Sequence, residues 1–219
     1  MLSYTDNYRH KGLRAQLVSS LRQKGIKSEK VLKAIAAIPR HFFLDEAFAE
    51  WAYKDTAFPI AAGQTISQPY TVARQSELLN IRWRDKVLEV GTGSGYQACV
   101  LNKMGAKVYT IERQEELFKR TAEFLPKIGF NGIRTLMGDG YEGAERFAPF
   151  DKILVTAACN IIPKTLVKQL KNGGTLVIPV GEGNDQRMMK ITKKGEQMEI
   201  MEHGTYRFVP MLEGVQAAV

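Results

Sequence analysis

The run VLEVGTGSGYQ at residues 87–97 constrains this chain more than any other segment, because an apolar stretch passes directly into glycines at 91, 93 and 95. It reads as a buried strand that turns sharply into a helix, with Gly91 and Gly93 letting the backbone pass close to a ligand. Such a loop presents backbone N–H groups at a helix N-terminus, where an anionic group is received. Glycine spacing then separates the cofactor classes. A dinucleotide loop follows G-x-G-x-x-G and needs glycine at 96, but that position is Tyr96 and the third glycine falls one residue early, at Gly95. A plain strand-to-helix turn would use the same glycines, so the loop needs support from elsewhere. Glu112 supplies it: this acid ends the next apolar run, KVYTI, roughly 20 positions on, where a carboxylate accepts both hydroxyls of a ribose. A surface charge capping the following helix is the alternative for Glu112. Glu89, inside the apolar strand, is out of place unless it meets amides or a ligand's ammonium group.

The remainder of the chain agrees with a strand of this kind. Apolar runs at 86–90, 107–111, 133–137, 152–155 and 175–180 alternate with helical patterns, which indicates a parallel sheet covered on both faces. Ahead of them lie helices expected at 6–24, with Leu13, Leu17, Val18 and Leu21 on one face, and at 28–38, with Ser28 as N-cap and Pro39 as the stop. A further helix is expected from Pro69 to about 79. After Gly181 the pattern changes to extended segments at 187–192 and 198–209, turned at Lys194 and Gly195, an antiparallel finish. The expected fold is therefore α/β: a doubly wound, mainly parallel sheet with N-terminal helices and an antiparallel C-terminal end. No repeat, low-complexity tract or linker divides it. One domain over 1–219 is expected, with a helical cap at 1–55, a cofactor-binding core at 56–180 and a β region at 181–219.

Composition removes several function classes. At 219 residues and 44% hydrophobic content the chain fits one sizeable core. Its two cysteines, Cys99 and Cys159, form no CxxC pair and no histidine stands at ligand spacing, so neither a disulfide framework nor a bound metal is expected. The net charge of +8 comes from Lys and Arg residues interleaved with Asp and Glu, a solvated basic surface and not a nucleic-acid groove. No stretch approaches the roughly 18 apolar residues of a membrane span, and MLSYTDNYRHKG lacks the apolar core of a signal peptide. A cytoplasmic monomer is the expectation.

The G-x-G-x-G loop resembles motif I of class I methyltransferases, which implies S-adenosylmethionine as cofactor, its methionine carboxylate facing the loop amides. GDG at 138–140 resembles the methyltransferase segment whose acid, here Asp139, reaches the adenine amino group; a simple turn is the other reading. The segment after the fourth strand, VTAACNIIP at 155–163, lacks both the Asn/Asp-Pro-Pro-aromatic signature of amino-group methyltransferases and the Pro-Cys nucleophile of cytosine C5 enzymes. Cys159 is accordingly expected to be a packing residue.

A more specific resemblance covers most of residues 55–214. QTISQPYTVARQSELL at 64–79 is similar to the segment that precedes motif I in the protein-L-isoaspartate O-methyltransferases of bacterial type. It is followed in family order by VLEVGTGSGYQ, GDGYEG at 138–143, APFDKILVTAA at 148–158, GGTLVIPVG at 173–181 and RFVP at 207–210. The chain departs from that family at 159–162, where Cys-Asn-Ile-Ile replaces the usual Pro-Pro-Glu-Ile. The resemblance implies Ser67 as the catalytic hydroxyl, with Pro69, Tyr70, Thr71 and Val72 near the cofactor. The implied cofactor residues continue with Glu89, Val90, Gly91, Gly93, Ser94, Gly95, Glu112, Arg113, Asp139 and Gly140. It further implies methylation of the α-carboxylate of L-isoaspartyl residues in damaged proteins and peptides. The ester then collapses unaided to a succinimide that hydrolyses partly to normal aspartate.

That chemistry asks little of acid–base catalysis. The acceptor carboxylate is ionised at neutral pH, so the protein has to align it and exclude water, not deprotonate it. Ser67, just before a helix opening at Pro69, can offer a hydroxyl and nearby amides, or can simply cap that helix. The acceptor cleft is expected between 56–67, the loop after Val155 and 207–211, with Tyr206 and Phe208 as walls or as core. The alternative function is an S-adenosylmethionine-dependent methyltransferase for RNA or a small molecule; a non-catalytic cofactor binder is a third reading.

Overall fold

The computed structural model describes residues 5–183 and 185–218. α1 (Tyr8–Gln23) starts at Asn7, whose side chain accepts from the His10 N–H. It buries Leu17 and Leu21, with Leu13 and Val18 at the margin. α2 (Glu29–Ala37) is capped by Ser28, buries Val31, Leu32, Ala34 and Ile35, and ends before Pro39. Then come 3-10 turns at Arg40–Phe43 and Glu46–Trp51 and a small hairpin, β1 (Phe58–Pro59) with β2 (Thr65–Ile66). Apolar periodicity signals none of these, because they are too short to show a period. α3 (Pro69–Leu79) opens on proline and closes at Asn80 in the left-handed conformation.

The sheet follows: β3 (Lys86–Val90), α4 (Tyr96–Lys103), β4 (Lys107–Glu112), α5 (Glu115–Lys127), β5 (Arg134–Met137), β6 (Phe150–Val155), α6 (Lys164–Lys168) and β7 (Leu170–Val180). β8 (Gln186–Lys194) and β9 (Gln197–Tyr206) complete it. The seven strands lie in the order β5-β4-β3-β6-β7-β8-β9, parallel from β5 to β7 and antiparallel beyond. This is the expected doubly wound sheet with its antiparallel finish. Because the chain leaves β3 toward β4 and later returns to β6 on the other side, the connections after β3 and β6 diverge and leave a crevice at the strand ends.

Two boundaries differ most from expectation. β7 begins at Leu170, not 175, since Leu170 pairs with Phe150 and a register shift between Phe150 and Lys152 carries the ladder past Lys171 to Gly174. Backbone pairing tolerates this polar, glycine-containing stretch, which in sequence reads as a turn. At the other end β9 stops at Tyr206, not 209: the Phe208 N–H donates to the Gln186 side chain at 2.7 Å, outside the strand ladder.

Successive strand residues face opposite layers. Val87, Leu154 and Val177 join Leu21, Ile35 and Leu101 in one buried cluster, whereas Leu88, Ile153 and Ile178 join Phe150 and Leu166 in the other. No helix among the described residues is long and apolar enough to cross a membrane.

Near the N-terminus, ligand-capable atoms of Asp6, His10 and His41 lie within 4.8 Å of one another. Two of the three, Asp6 and His41, are engaged otherwise. Arg14 takes both Asp6 oxygens, at 3.0 and 2.9 Å. His41 Nε2 faces the Thr5 carbonyl at 3.2 Å and so carries the proton, leaving Nδ1 to accept from the Tyr53 hydroxyl at 2.7 Å. The ring is thus needed neutral, and burial holds its pKa below the ordinary histidine value of 6.5. A depressed folded-state value means that the unfolded chain takes up the proton first, so stability falls as pH drops below about 6.5. The urea midpoint should decrease between pH 7.5 and 5.5, and His41→Gln should flatten that dependence; an unchanged slope would remove His41 from the stability balance.

Candidate active site

The crevice between β3 and β6 holds the glycine loop. Gly91, Gly93 and Gly95 all have positive φ, at 94°, 51° and 83°, a region that other residues enter at a cost. Space is equally restrictive: a Cβ on Gly91 would stand 2.5 Å from the Thr156 hydroxyl, and one on Gly95 would meet the Thr121 methyl at 2.8 Å. The loop is pinned from several directions. Gly91 and Thr92 donate to the Ile111 carbonyl at 2.9 and 3.2 Å, and Thr121 donates to the Gly93 carbonyl at 2.9 Å. From the end of β6 the Thr156 hydroxyl is shared between the Val90 and Gly91 carbonyls, at 2.9 and 2.8 Å.

Beside the loop lies a partly enclosed cavity. Of the residues that the sequence singles out, Ser67, Val72, Val90, Gly91, Gly93, Ser94, Glu112, Arg113 and Gly140 line it. Glu112 is nearly buried, its two oxygens accepting from the N–H groups of Gly93 and Gln114, both at 2.9 Å. Each carboxylate oxygen retains lone-pair capacity toward a ligand hydroxyl. Gln97, on the cavity wall, has a buried Oε1 without a hydrogen-bond partner. A second, open groove runs along the α3 side, lined by Tyr70, Thr71, Arg74, Tyr206 and Phe208. Ser67, Thr65 and Thr156 line both spaces.

A family model described as protein-L-isoaspartate(D-aspartate) O-methyltransferase (PCMT) matches residues 12–216. The chain belongs to this family. It is 57% identical over 209 residues to a protein-L-isoaspartate O-methyltransferase of Flavobacterium psychrophilum, spanning 95% of this chain and 98% of that one. A relative of the same name from Christiangramia forsetii is 56% identical over 208 residues, with the same coverage. Among solved structures, a protein-L-isoaspartate O-methyltransferase superposes with a TM-score of 0.83 at 27% identity, covering 90% of this chain and 65% of the other. A PCMT from Plasmodium falciparum in complex with S-adenosyl-L-homocysteine gives 0.77 at 25% identity over 95% and 99% of the two chains. Family and fold together make S-adenosylmethionine the cofactor of this methyltransferase.

Some expected residues sit outside the methyltransferase's cavity. Tyr70 and Thr71 face the open groove, Pro69 starts α3 in the interior, and Gly95 serves the packing of the loop on α5. Asp139 accepts from the Tyr141 N–H at 2.8 Å and, across the chain, from the Gly214 N–H at 2.6 Å. Arg113 likewise turns its guanidinium to the C-terminal segment, donating to the Gly214 carbonyl at 3.0 Å. Met211 of that segment closes the cavity and packs on Cys159, sulfur to sulfur at 3.1 Å. Burial pushes the Cys159 thiol up to about 12, so the expected packing role suits it. Gln97 on the cavity wall carries no signal in the sequence, whereas Thr65, Thr156 and Met211 fall in the segments expected to border the acceptor cleft and line the cavity beside the glycine loop. Thr156 follows directly on the fourth apolar run, where a strand end faces the crevice.

Glu89 lies behind the loop and is fully buried. Its Oε2 accepts from the Thr110 hydroxyl at 2.5 Å, and Thr110 in turn lies 2.7 Å from the Thr92 hydroxyl, so a relay runs from the acid to the loop. Its Oε1 has no partner, and burial raises the carboxyl to about 8 with a smaller contribution from Glu112. A raised carboxyl value means that the native state holds a proton that the unfolded chain has lost above about pH 4.5, so stability declines from there to about pH 8. In the free protein Glu89→Gln should therefore raise Tm at pH 8 and leave it nearly unchanged at pH 4; equal shifts at both values would contradict the protonated state.

Proposed function

We propose that the chain transfers the methyl group of S-adenosylmethionine to the α-carboxylate of L-isoaspartyl residues in damaged proteins and peptides. The observation that carries this reading is the position of Ser67, on the shared wall of the enclosed cavity and the open groove. A residue at that junction can touch both the donor and an extended peptide. When bound, the cofactor supplies a sulfonium methyl group and leaves as S-adenosylhomocysteine. The glycines of the loop from Gly91 to Gly95 let the methionine end of the cofactor lie close to the backbone, and Glu112 accepts the ribose hydroxyls. Glu89 acts behind them through Thr110 and Thr92, holding the loop in shape.

On the acceptor side no base is required, because the isoaspartyl carboxylate is already ionised. Ser67 holds one carboxylate oxygen by its hydroxyl while Tyr70, Thr71 and Phe208 bound the peptide groove. Selection between isoaspartate and aspartate rests on where the fixed backbone aims that carboxylate, since the two isomers have the same charge. The relatives, more than half identical, carry the isoaspartate activity in their names, which disfavours RNA or a small molecule as acceptor. One domain, a monomeric state and a cytoplasmic setting complete the proposal; the two cysteines, buried and free, suit a reducing compartment.

Labelled methyl transfer tests the reading: L-isoaspartyl peptides should be methylated and the matching L-aspartyl peptides ignored, and equal labelling of both would refute it. Ser67→Ala should lower kcat about tenfold to a thousandfold with S-adenosylhomocysteine affinity nearly intact, since no proton transfer or covalent step depends on it. Glu112→Ala should instead weaken cofactor binding by about 1–3 kcal/mol, measured by calorimetry.

A further inference from the structure

Arg40 is completely buried and lines neither the cavity nor the groove. Its Nε donates to the Ala52 carbonyl at 3.0 Å and its Nη2 to the Ser67 carbonyl at 2.9 Å. The guanidinium carbon lies 4.8 Å from the centre of the Tyr96 ring, the first residue of α4 after the glycine loop. Nη1 has no partner. Asp55, the acid whose field it feels, is already engaged by Lys24 at 2.5 Å and by the Tyr70 N–H at 2.7 Å. Burial lowers the guanidinium to about 10, which keeps it charged at neutral pH.

A buried cation held by neutral carbonyls is a costly way to fill space; an apolar side chain of similar volume would pack without that cost. What the arginine adds is direction. It ties the carbonyl of Ser67, between β2 and α3, to the residue that opens α4. Asp55 completes the arrangement three residues on, where its carboxylate takes the Tyr70 N–H and its carbonyl takes the Gln68 side chain at 3.1 Å. The turn from Ser67 to Tyr70 is thereby held at one end by a cation and at the other by an anion, while Pro69 between them has no N–H to hold.

We propose that Arg40 is a positioning residue for the methyl transfer, fixing the Ser67 backbone so that its hydroxyl stays aligned between the cofactor cavity and the peptide groove. The role rests on the isoaspartyl activity proposed above. A displacement of about 1 Å at such a hydroxyl is enough to cost on the order of a hundredfold in rate. Arg40 does not line the cavity, so the effect belongs in kcat and not in cofactor affinity.

The test is a double-mutant cycle of Arg40→Met and Ser67→Ala, read as kcat on an isoaspartyl peptide, with S-adenosylhomocysteine affinity measured in parallel. Arg40→Met should lower kcat about tenfold to a hundredfold with affinity within about threefold of wild type, and the double variant should be no slower than the slower single one. Arg40→Lys, which keeps the charge and can still reach one carbonyl, should recover part of the loss; if Arg40→Met does not fold, the same cycle is run with Arg40→Lys. A folded Arg40 variant with wild-type kcat, or losses that multiply in the double variant, would overturn the role alone. A wild-type protein that binds S-adenosylhomocysteine but leaves the isoaspartyl peptide unmethylated would overturn the activity reading and this role with it.

Discussion

The close approach of β3 and β6 at their carboxyl ends is the constraint on which the site depends. There a single hydroxyl, that of Thr156, lies against the carbonyls of Val90 and Gly91, in the space that any side chain at 91 would need. Only a left-handed glycine lets the chain turn away at that distance. Once the turn is made, the loop amides are fixed by Ile111 and Glu112 on the neighbouring strand, and the cavity follows as the space between two diverging connections.

The second structural theme is ionisable groups taken out of water. Glu89 and Arg40 are both fully buried, and neither has a full ion-pair partner among the described residues. Each instead spends its hydrogen bonds on groups that hold a loop: Glu89 through Thr110 to Thr92, Arg40 through the carbonyls of Ala52 and Ser67. Groups like these cost stability in the free protein and fix backbone positions that apolar packing alone would leave loose. The N-terminal helices matter for the same reason, since Arg40 follows shortly after α2 and brings that part of the chain to the turn at Ser67.

The C-terminal segment adds a third layer. Arg113, Gln114 and Asp139, at or near the ends of β4 and β5, bind residues 214–216 in place of solvent. Met211 reaches back over the cavity to Cys159, and the atypical 159–162 loop is anchored there, its first residue buried and Ile161 exposed. The far wall of the cavity beside the glycine loop is therefore made by chain that comes last in sequence.

The sequence by itself determined the sheet and its order of elements, because strand and helix periods are local and the runs from β3 to β7 are long enough to show them. It also determined the glycine turn and the carboxylate of Glu112, which are set by backbone conformation and by spacing along adjacent strands. The motif order carried the family. The tertiary structure alone decided which residues meet: that Ser67 borders two spaces, that Thr156 pins the glycine loop, that Tyr70 and Thr71 face the groove, and that Arg40 reaches Ser67 across 27 positions. It also placed Asp139 on the tail and Glu89 behind the loop. These contacts join segments far apart in the chain, and no local period or spacing encodes them; they exist only once the packed layers bring the ends of different elements to the same crevice.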